Sequence, residues 1–358
     1  MKILHITSSL KVGGAESLLV DLLKDLKERG IENSVLYFHE GPNVEKIKNM
    51  QIECIKVEPL FKMYDPIFLF NFFRLIKKIN PDVIHSSLWA ANFLSTIASK
   101  IFKIPILCSI HLASNLEDKS SDSRIRAFLE KITFKADSLV AVSHSLKYEL
   151  VQKYPQLKNK IEVIENGIDV NRFGCSLQRQ SSNFIIGTVG RFIPRKNHKL
   201  LIEAFSELHK IYPETELHLV GQGPLENELK NLVFNFGLVS EIKFIKTDDA
   251  SQLYKNFDCF VLPSDQEGLS IALLEALASG VASIVVGKDR KHDLISQNEN
   301  GLIVKKEKNE LIFAISKLIL DPDLKIELSQ NGRELANSKY SLDKMVSSYI
   351  KVYKKINI

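Results

Sequence analysis

Cysteine is scarce. The chain has four, Cys54, Cys108, Cys175 and Cys259, with no C-x-x-C spacing among them. That excludes a zinc ribbon and a disulfide framework, and the apolar strand patterns around three of them read as reduced core thiols. Long hydrophobic runs are absent too. No stretch approaches the roughly 20 apolar residues that span a bilayer, and the opening MKILHITSSL has the pattern of a strand without the apolar core of a secretion signal. A cytoplasmic protein is expected. Neither sign of charge dominates: 48 Lys and Arg face 43 Asp and Glu, a net of +5. This mild, dispersed excess suits phosphate-bearing substrates or anionic lipid, and equally a surface of no consequence; no nucleic-acid partner is expected. No His/Cys/Asp cluster has metal-ligand spacing. Asp321-Pro322-Asp323 spells D-x-D, but it falls between two helices, where Asp321 suits an N-cap and Pro322 a first turn. No metal and no other cofactor is expected.

What is present is an alternation. The chain has 358 residues, 45% hydrophobic and 25% charged, too many for one core of ordinary size. Apolar strand runs alternate with helical patterns, which indicates an α/β fold with two Rossmann-like domains. The first is expected over residues 1–170, the polar stretch 171–183 reads as a linker, and the second runs over 184–340. The last helix, within 341–358, is placed back on the first domain. The opening strand leads through Gly13-Gly14 into a helix, yet KVGGAE is not G-x-G-x-x-G, and Glu32 precedes its strand where a ribose-binding acid would follow one. Both points count against a dinucleotide site.

Several candidate residues stand where strands end. His111 follows the strand Ile106–Ile110, at the edge where open α/β sheets bind ligands. Ser143 follows a strand and suits an N-cap. Arg191 and Lys196 follow the first strand of the second half, where cations before a helix would clamp a diphosphate. Gly221-Gln222-Gly223-Pro224 marks a turn. A polar loop over 116–122, a helix over 124–135, and a loop at Asp289 followed by a helix near His292 are also expected. The helix opened by Asp65 and Pro66 carries Phe68, Phe70, Phe72 and Phe73 with Arg74, Lys77 and Lys78. Its phenylalanines cannot all share one face, so a membrane contact is left open beside simple packing.

The most informative stretch is VLPSDQEGLSIALLEALASG, Val261 to Gly280. A strand ends at Pro263, and a helix opens at Ser270 and closes before Gly280. Glu267 hangs at the tip, Gly268 permits close backbone approach, and the amides of Leu269 and Ser270 approach a helix start that suits a phosphate. Glu275 lies in an apolar helix, where a carboxylate needs a partner.

Glu267 and Glu275 resemble the E-x7-E element of retaining glycosyltransferases of family 4. Gly13, Gly14 and Glu16 are similar to that family's G-G-x-E loop, Arg191 and Lys196 to its G-R-x4-K element, and Gly221 with Gly223 to its G-x-G-P turn. Asn166-Gly167-Ile168-Asp169 resembles its N-G-h-D element. The resemblance spans nearly the whole chain. It implies a GT-B type fold, two Rossmann-like domains facing across a cleft. It also implies transfer of a hexose or N-acetylhexosamine from a nucleotide sugar, most often a UDP-sugar, to a hydroxyl with retention and without metal. Arg191, Lys196, Gly14 and the backbone of Gly268, Leu269 and Ser270 would hold the donor diphosphate. Glu267 and His111 would act at the sugar, and Glu275 at the ribose. Gly13, Glu16 and Ser143 would lie toward the acceptor, a carbohydrate or lipid-linked carbohydrate of bacterial surface polysaccharide or glycolipid assembly. Three rivals remain: a nucleotide-sugar 2-epimerase of the same architecture, an NAD-dependent oxidoreductase, and a noncatalytic partner subunit.

Overall fold

The computed structural model describes residues 1–58, 65–111, 129–173, 183–265, 267–287 and 292–357. The expected loop over 116–122, the start of the helix expected from Arg124, most of the expected linker, and Asp289 lie outside the described residues. The chain divides into two compact units, Met1–Asn166 with Leu342–Ile358, and Gly167–Ser341. Composition placed residues 171–173 in a linker. They belong instead to the second unit, in and beside a 3-10 turn over Val170–Arg172 that Asp169 caps by accepting from Asn171 N.

The first unit carries a parallel sheet of strands β1 (Lys2–Ser9), β2 (Glu32–His39), β3 (Glu53–Lys56), β4 (Val83–Ser87), β5 (Ile106–Ile110), β6 (Ser138–Ala141) and β7 (Ile161–Val163). Their order is β3-β2-β1-β4-β5-β6-β7, with the direction of progression reversing beside β1. The central strands read as continuous apolar runs because helices cover both faces of such a sheet; Ile3, Leu4, Ile84 and Leu107 are fully buried. Helices α1 (Gly14–Glu28), α2 (Asn43–Asn49), α3 (Pro66–Ile79), α4 (Trp89–Phe102) and α5 (His144–Lys153) connect the strands. The start of α3 follows from Asp65, which accepts from Ile67 N at 2.8 Å, and from Pro66 in the first turn. Phe68 and Phe72 pack edge-on to Phe38, while Ile67 and Phe70 remain 60% and 65% exposed.

The C-terminal helix, Leu342–Ile356, buries Met345, Val346, Tyr349, Val352 and Tyr353, an apolar stripe at helical spacing. The two tyrosines meet polar groups at the sheet. Tyr353 Oη lies 2.6 Å from His85 Nδ1, His85 Nε2 lies 2.8 Å from Ser109 Oγ, and Ser109 Oγ lies 3.2 Å from Tyr349 Oη. His5, 5.3 Å from His85 between ring centres, bonds Asn33. A buried polar network of this kind stabilises when its members find partners, and fixes where the helix docks.

The second unit repeats the plan. Strands β8 (Phe184–Val189), β9 (Thr215–Val220), β10 (Ile242–Ile245), β11 (Cys259–Leu262), β12 (Ala282–Val286) and β13 (Leu302–Val304) form a sheet of order β10-β9-β8-β11-β12-β13. Its helices are α6 (His198–Ile211), α7 (Glu226–Asn235), α8 (Ile271–Ala278), α9 (Lys308–Leu320) and α10 (Pro322–Lys339). Gly187 is required in β8, since a Cβ there would stand 2.2 Å from the Phe257 ring. Asp321 caps α10 by accepting from Leu324 N at 2.9 Å. The helix expected near His292 does not form. His292 Nδ1 accepts from Leu294 N, and the Asn300 side chain takes Ser296 N and Leu294 O, so these local bonds use the groups a helix would need. Cys54, Cys108 and Cys259 are free thiols. Among the described residues, no helix is long and apolar enough to cross a membrane.

Burial lowers His5 to about 4 despite its bond to Asn33; His85 falls well below 6.5 through burial and then the neighbouring His5 and His111. The unfolded chain therefore takes up these protons first. Stability is full above about pH 6.5 and declines below it, by about 1.4 kcal/mol per pH unit for each such ring until its folded pKa is reached. Denaturant titrations between pH 6.5 and 5 should give a falling unfolding free energy, with a shallower slope in His5→Gln. An equal slope in that variant would show that the ring is not held neutral by folding.

Candidate active site at the switch points of the two sheets

In the second unit the direction of strand progression reverses between β8 and β11. Loops that leave the carboxyl ends of those neighbours diverge, and the crevice between them is where such sheets bind ligands. The loop after β8 carries Gly190, Arg191, Arg195 and Lys196, and the loop after β11 carries Ser264, Glu267, Gly268, Leu269 and Ser270. Residues some seventy positions apart in sequence thus meet.

Glu267 is at the centre. Lys196 Nζ lies 2.6 Å from its Oε1, and Arg195 Nη1 lies 3.5 Å from its Oε2. The Lys196 and Glu267 side chains are only 13% and 15% exposed. Burial pushes the Glu267 carboxyl up, but the charge and hydrogen bond of Lys196 and then Arg195 outweigh it, and the net shift is downward. Glu267 is a carboxylate with two cations on it. Near it stands His292, which burial lowers while the charges of Asp293 and Glu267 oppose that.

The cationic loop is held from below. Gly190 N donates to Val220 O, Phe192 N to Gln222 O, and Leu225 N to Phe192 O. Gly221 has φ +148°, and a Cβ on it would fall 2.1 Å from Gly190 O; one on Gly223 would fall 2.5 Å from Phe192 O. The turn at Gly221-Gln222-Gly223-Pro224 is glycine-rich because two backbones touch there. The stem of Lys196 lies over Gly190, 3.4 Å from where a Cβ would sit. Arg191 is exposed.

Ser270 caps α8 with Oγ accepting from Leu273 N at 3.4 Å, so Gly268, Leu269 and Ser270 form the approach to a helix N-terminus. In α8, Glu275 Oε2 accepts from Tyr254 Oη at 2.7 Å. Tyr254 is fully buried, with its ring against Phe173, Phe257 and Phe260. Burial, then the charge of Glu275, raises its hydroxyl well above 10, so it stays a donor.

The first unit places its candidates along the carboxyl edge of its own sheet. The Gly13-Gly14 loop follows β1, beside the reversal, and His111 follows β5. The Glu16 carboxylate folds back on Gly13: a Cβ there would lie 2.4 Å from Glu16 Oε2. His111 is partly buried, and burial lowers it to about 4, so the ring is neutral near pH 7. Ser143 is fully buried; its hydroxyl accepts from Leu146 N and bonds Ser145 Oγ. It serves as the cap of α5.

The second sheet therefore brings Lys196, Glu267, Ser270 and Glu275 to one switch point. Sequence reading left Arg195 unassigned and passed over Tyr254. Both contacts depend on tertiary structure, and the only local signal was Arg195's place beside Lys196.

Known proteins match this arrangement. The family model for glycosyl transferases group 1 covers residues 175–335, and that for glycosyltransferase family 4 covers residues 12–172. A capsular polysaccharide biosynthesis glycosyltransferase of Staphylococcus aureus is 28% identical over 307 residues, 79% of this chain and 81% of its own length. The UDP-Gal:α-D-GlcNAc-diphosphoundecaprenol α-1,3-galactosyltransferase of Escherichia coli is 23% identical over 378 residues, 99% of this chain and 96% of its own. Among solved structures, Anabaena HepE in complex with UDP-glucose superposes with a TM-score of 0.86 at 22% identity, over 99% of this chain and 100% of that one. Two doubly wound parallel sheets, the residues gathered at their switch points, and family models matching one after the other along the chain agree: it belongs to the family 4 glycosyltransferases, of GT-B type.

Proposed function

We propose that this glycosyltransferase moves a hexose or N-acetylhexosamine from a UDP-sugar to a hydroxyl of a lipid-linked or surface-polysaccharide acceptor, with retention and without a metal ion. The observation that carries the reading is the Lys196–Glu267 pair, 2.6 Å apart at the switch point, with Glu275 in the helix that follows. The relatives' printed activities support the donor and acceptor classes: a UDP-galactose donor and a diphosphoundecaprenol-linked acceptor in the Escherichia coli enzyme, and UDP-glucose bound in Anabaena HepE.

Leaving-group charge develops on phosphate oxygens while the sugar becomes cationic. Arg191, Lys196 and the N-terminus of α8 take up the first charge. Glu267, an ionised carboxylate, balances the second and holds sugar hydroxyls. Glu275, oriented by Tyr254, binds the ribose. From the family resemblance, Gly14 lies at the diphosphate, Gly13 and Glu16 on the acceptor side, and the neutral His111 at the donor sugar. In a same-face transfer the bond from the anomeric carbon to the phosphate oxygen breaks. The acceptor oxygen bonds to that carbon, and its proton passes to the departing phosphate, so UDP leaves. A 2-epimerase would form UDP without any acceptor, whereas this reading requires one for rapid release.

Glu267→Gln keeps shape but removes charge where the sugar becomes cationic, so kcat should fall by at least a hundredfold with UDP affinity kept or raised, since Lys196 is released from its competing partner. Glu275→Gln loses a charge-assisted bond of about 1.5–3 kcal/mol made in ground and transition states alike, and UDP binding should weaken about ten- to hundredfold. Calorimetric titration with UDP, beside single-turnover rates measured with and without excess EDTA, reads all three claims. Reversed effects would exchange the two roles, unchanged variants would remove this stretch from the active site, and a loss in EDTA restored by manganese would overturn metal independence.

A peripheral membrane contact is part of the same proposal. One face of α3 presents Ile67 and Phe70 exposed, then Arg74, Lys77 and Lys78, all at helical spacing. Apolar anchors beside three cations complement an anionic lipid surface. Sedimentation with vesicles containing phosphatidylglycerol should recover the protein at low salt, less at high salt, and less for Phe70→Asp. Equal recovery in the supernatant under all conditions would contradict it.

A further inference from the structure

Lys196 cannot serve two partners at full strength. The proposed reaction places it on the donor's diphosphate, yet it also sits on Glu267 Oε1 at 2.6 Å. Drawing it onto phosphate strips a mostly buried carboxylate of its nearest cation, and a buried carboxylate left uncompensated is costly. The second oxygen of Glu267 already faces another cation, Arg195 Nη1 at 3.5 Å. Arg195 is anchored by its own backbone, since its carbonyl accepts from Asp265 N at 2.9 Å.

We propose that Arg195 is a positioning residue that keeps hold of the Glu267 carboxylate when Lys196 moves onto the donor diphosphate. This rests on the roles given to Glu267 and Lys196 above. Arg195 thereby keeps Glu267 ionised and aimed at the step where its charge is needed, and it does so through Glu267 without touching donor. A guanidinium is well fitted to this role. It stays protonated, and its planar fork accommodates one or both carboxylate oxygens as the lysine withdraws. In the Lys196–Glu267 pair the diphosphate ligand and the sugar-facing carboxylate neutralise each other. The bound state separates them, and Arg195 removes most of the penalty for doing so.

Among the described residues, the groups facing Glu267 come from three loops. Lys196 and Arg195 follow β8, Ser264 follows β11, and His292 follows β12. Asp265, next to Ser264, is paired with Lys306 at 2.7 Å. Of these, Lys196 and Arg195 carry the positive charge that holds the Glu267 titration down. When Lys196 is engaged by phosphate, the effect of Arg195 should grow.

The test follows the Glu267 carboxyl by carbon-13 resonance in protein labelled at glutamate, assigned by its disappearance in Glu267→Gln, with and without saturating UDP. In Arg195→Gln the Glu267 titration should move to higher pH, further with UDP than without, while Arg195→Lys restores most of the wild-type curve. UDP affinity should fall about threefold in Arg195→Gln, through the penalty that Arg195 otherwise relieves, and about tenfold or more in Lys196→Gln. A UDP affinity that falls as far in Arg195→Gln as in Lys196→Gln would make Arg195 a phosphate ligand and overturn the proposal. So would a Glu267 titration in Arg195→Gln that does not move, or that moves no further when UDP is bound. Failure of UDP to bind the wild-type protein would overturn the reading of the site itself and this proposal with it, an outcome distinct from the other two.

Discussion

A carboxylate taken out of water must be met by positive charge, and the second unit is arranged around that requirement at Glu267. Its partners cannot come from its own loop, VLPSDQEGLS, which supplies no cation. They come from the loop after β8, which the strand order sets beside β11. Removing one member of such a pair is expensive because it leaves the other desolvated and uncompensated. The supporting features follow from holding the pair in place. Gly221 and Gly223 let the neighbouring turn support that loop at contact distance, and Ser270 ends the opposite loop by starting α8.

The same logic recurs eight residues on. Glu275 is on an otherwise apolar helix, and the protein meets it with a phenol that burial keeps protonated. Tyr254 is in turn fixed by three phenylalanine rings. The two carboxylates therefore differ in kind. Glu267 is met by two cations, Lys196 and Arg195, whereas Glu275 accepts from the neutral hydroxyl of Tyr254. That difference suits one to a charge that develops during reaction and the other to a constant hydrogen bond with donor.

Much of the architecture was legible because it is written locally. Apolar runs alternating with helical patterns, Asp65-Pro66 at the start of α3, and Ser270 and Gly280 around α8 are signals that adjacent residues settle among themselves. Glu267, Glu275, Arg191 and Lys196 stand out in the sequence through their resemblance to the family's motif spacings. What was not legible depends on contacts distant in sequence. Arg195 reaches Glu267 only because β8 and β11 are neighbours, and Tyr254 meets Glu275 only through the packing of its ring. Ser143 is the cap that its place after β6 indicates, with its hydroxyl accepting from Leu146 N. Near His292 the helical pattern lost to side-chain bonds from His292 and Asn300. The linker inferred from polar composition began too early, because Asp169 draws the chain into a capped turn of the second unit.

The central claim is that Lys196 is held by Glu267 until a donor diphosphate displaces it, with Glu275 on the ribose. A crystal structure of the protein with UDP tests this most directly. Lys196 Nζ is expected within hydrogen-bond distance of a diphosphate oxygen and farther than about 3.5 Å from Glu267, with Arg195 still on that carboxylate and Glu275 on the ribose hydroxyls. UDP bound away from α8, or Lys196 still closed on Glu267 beside a bound diphosphate, would contradict it.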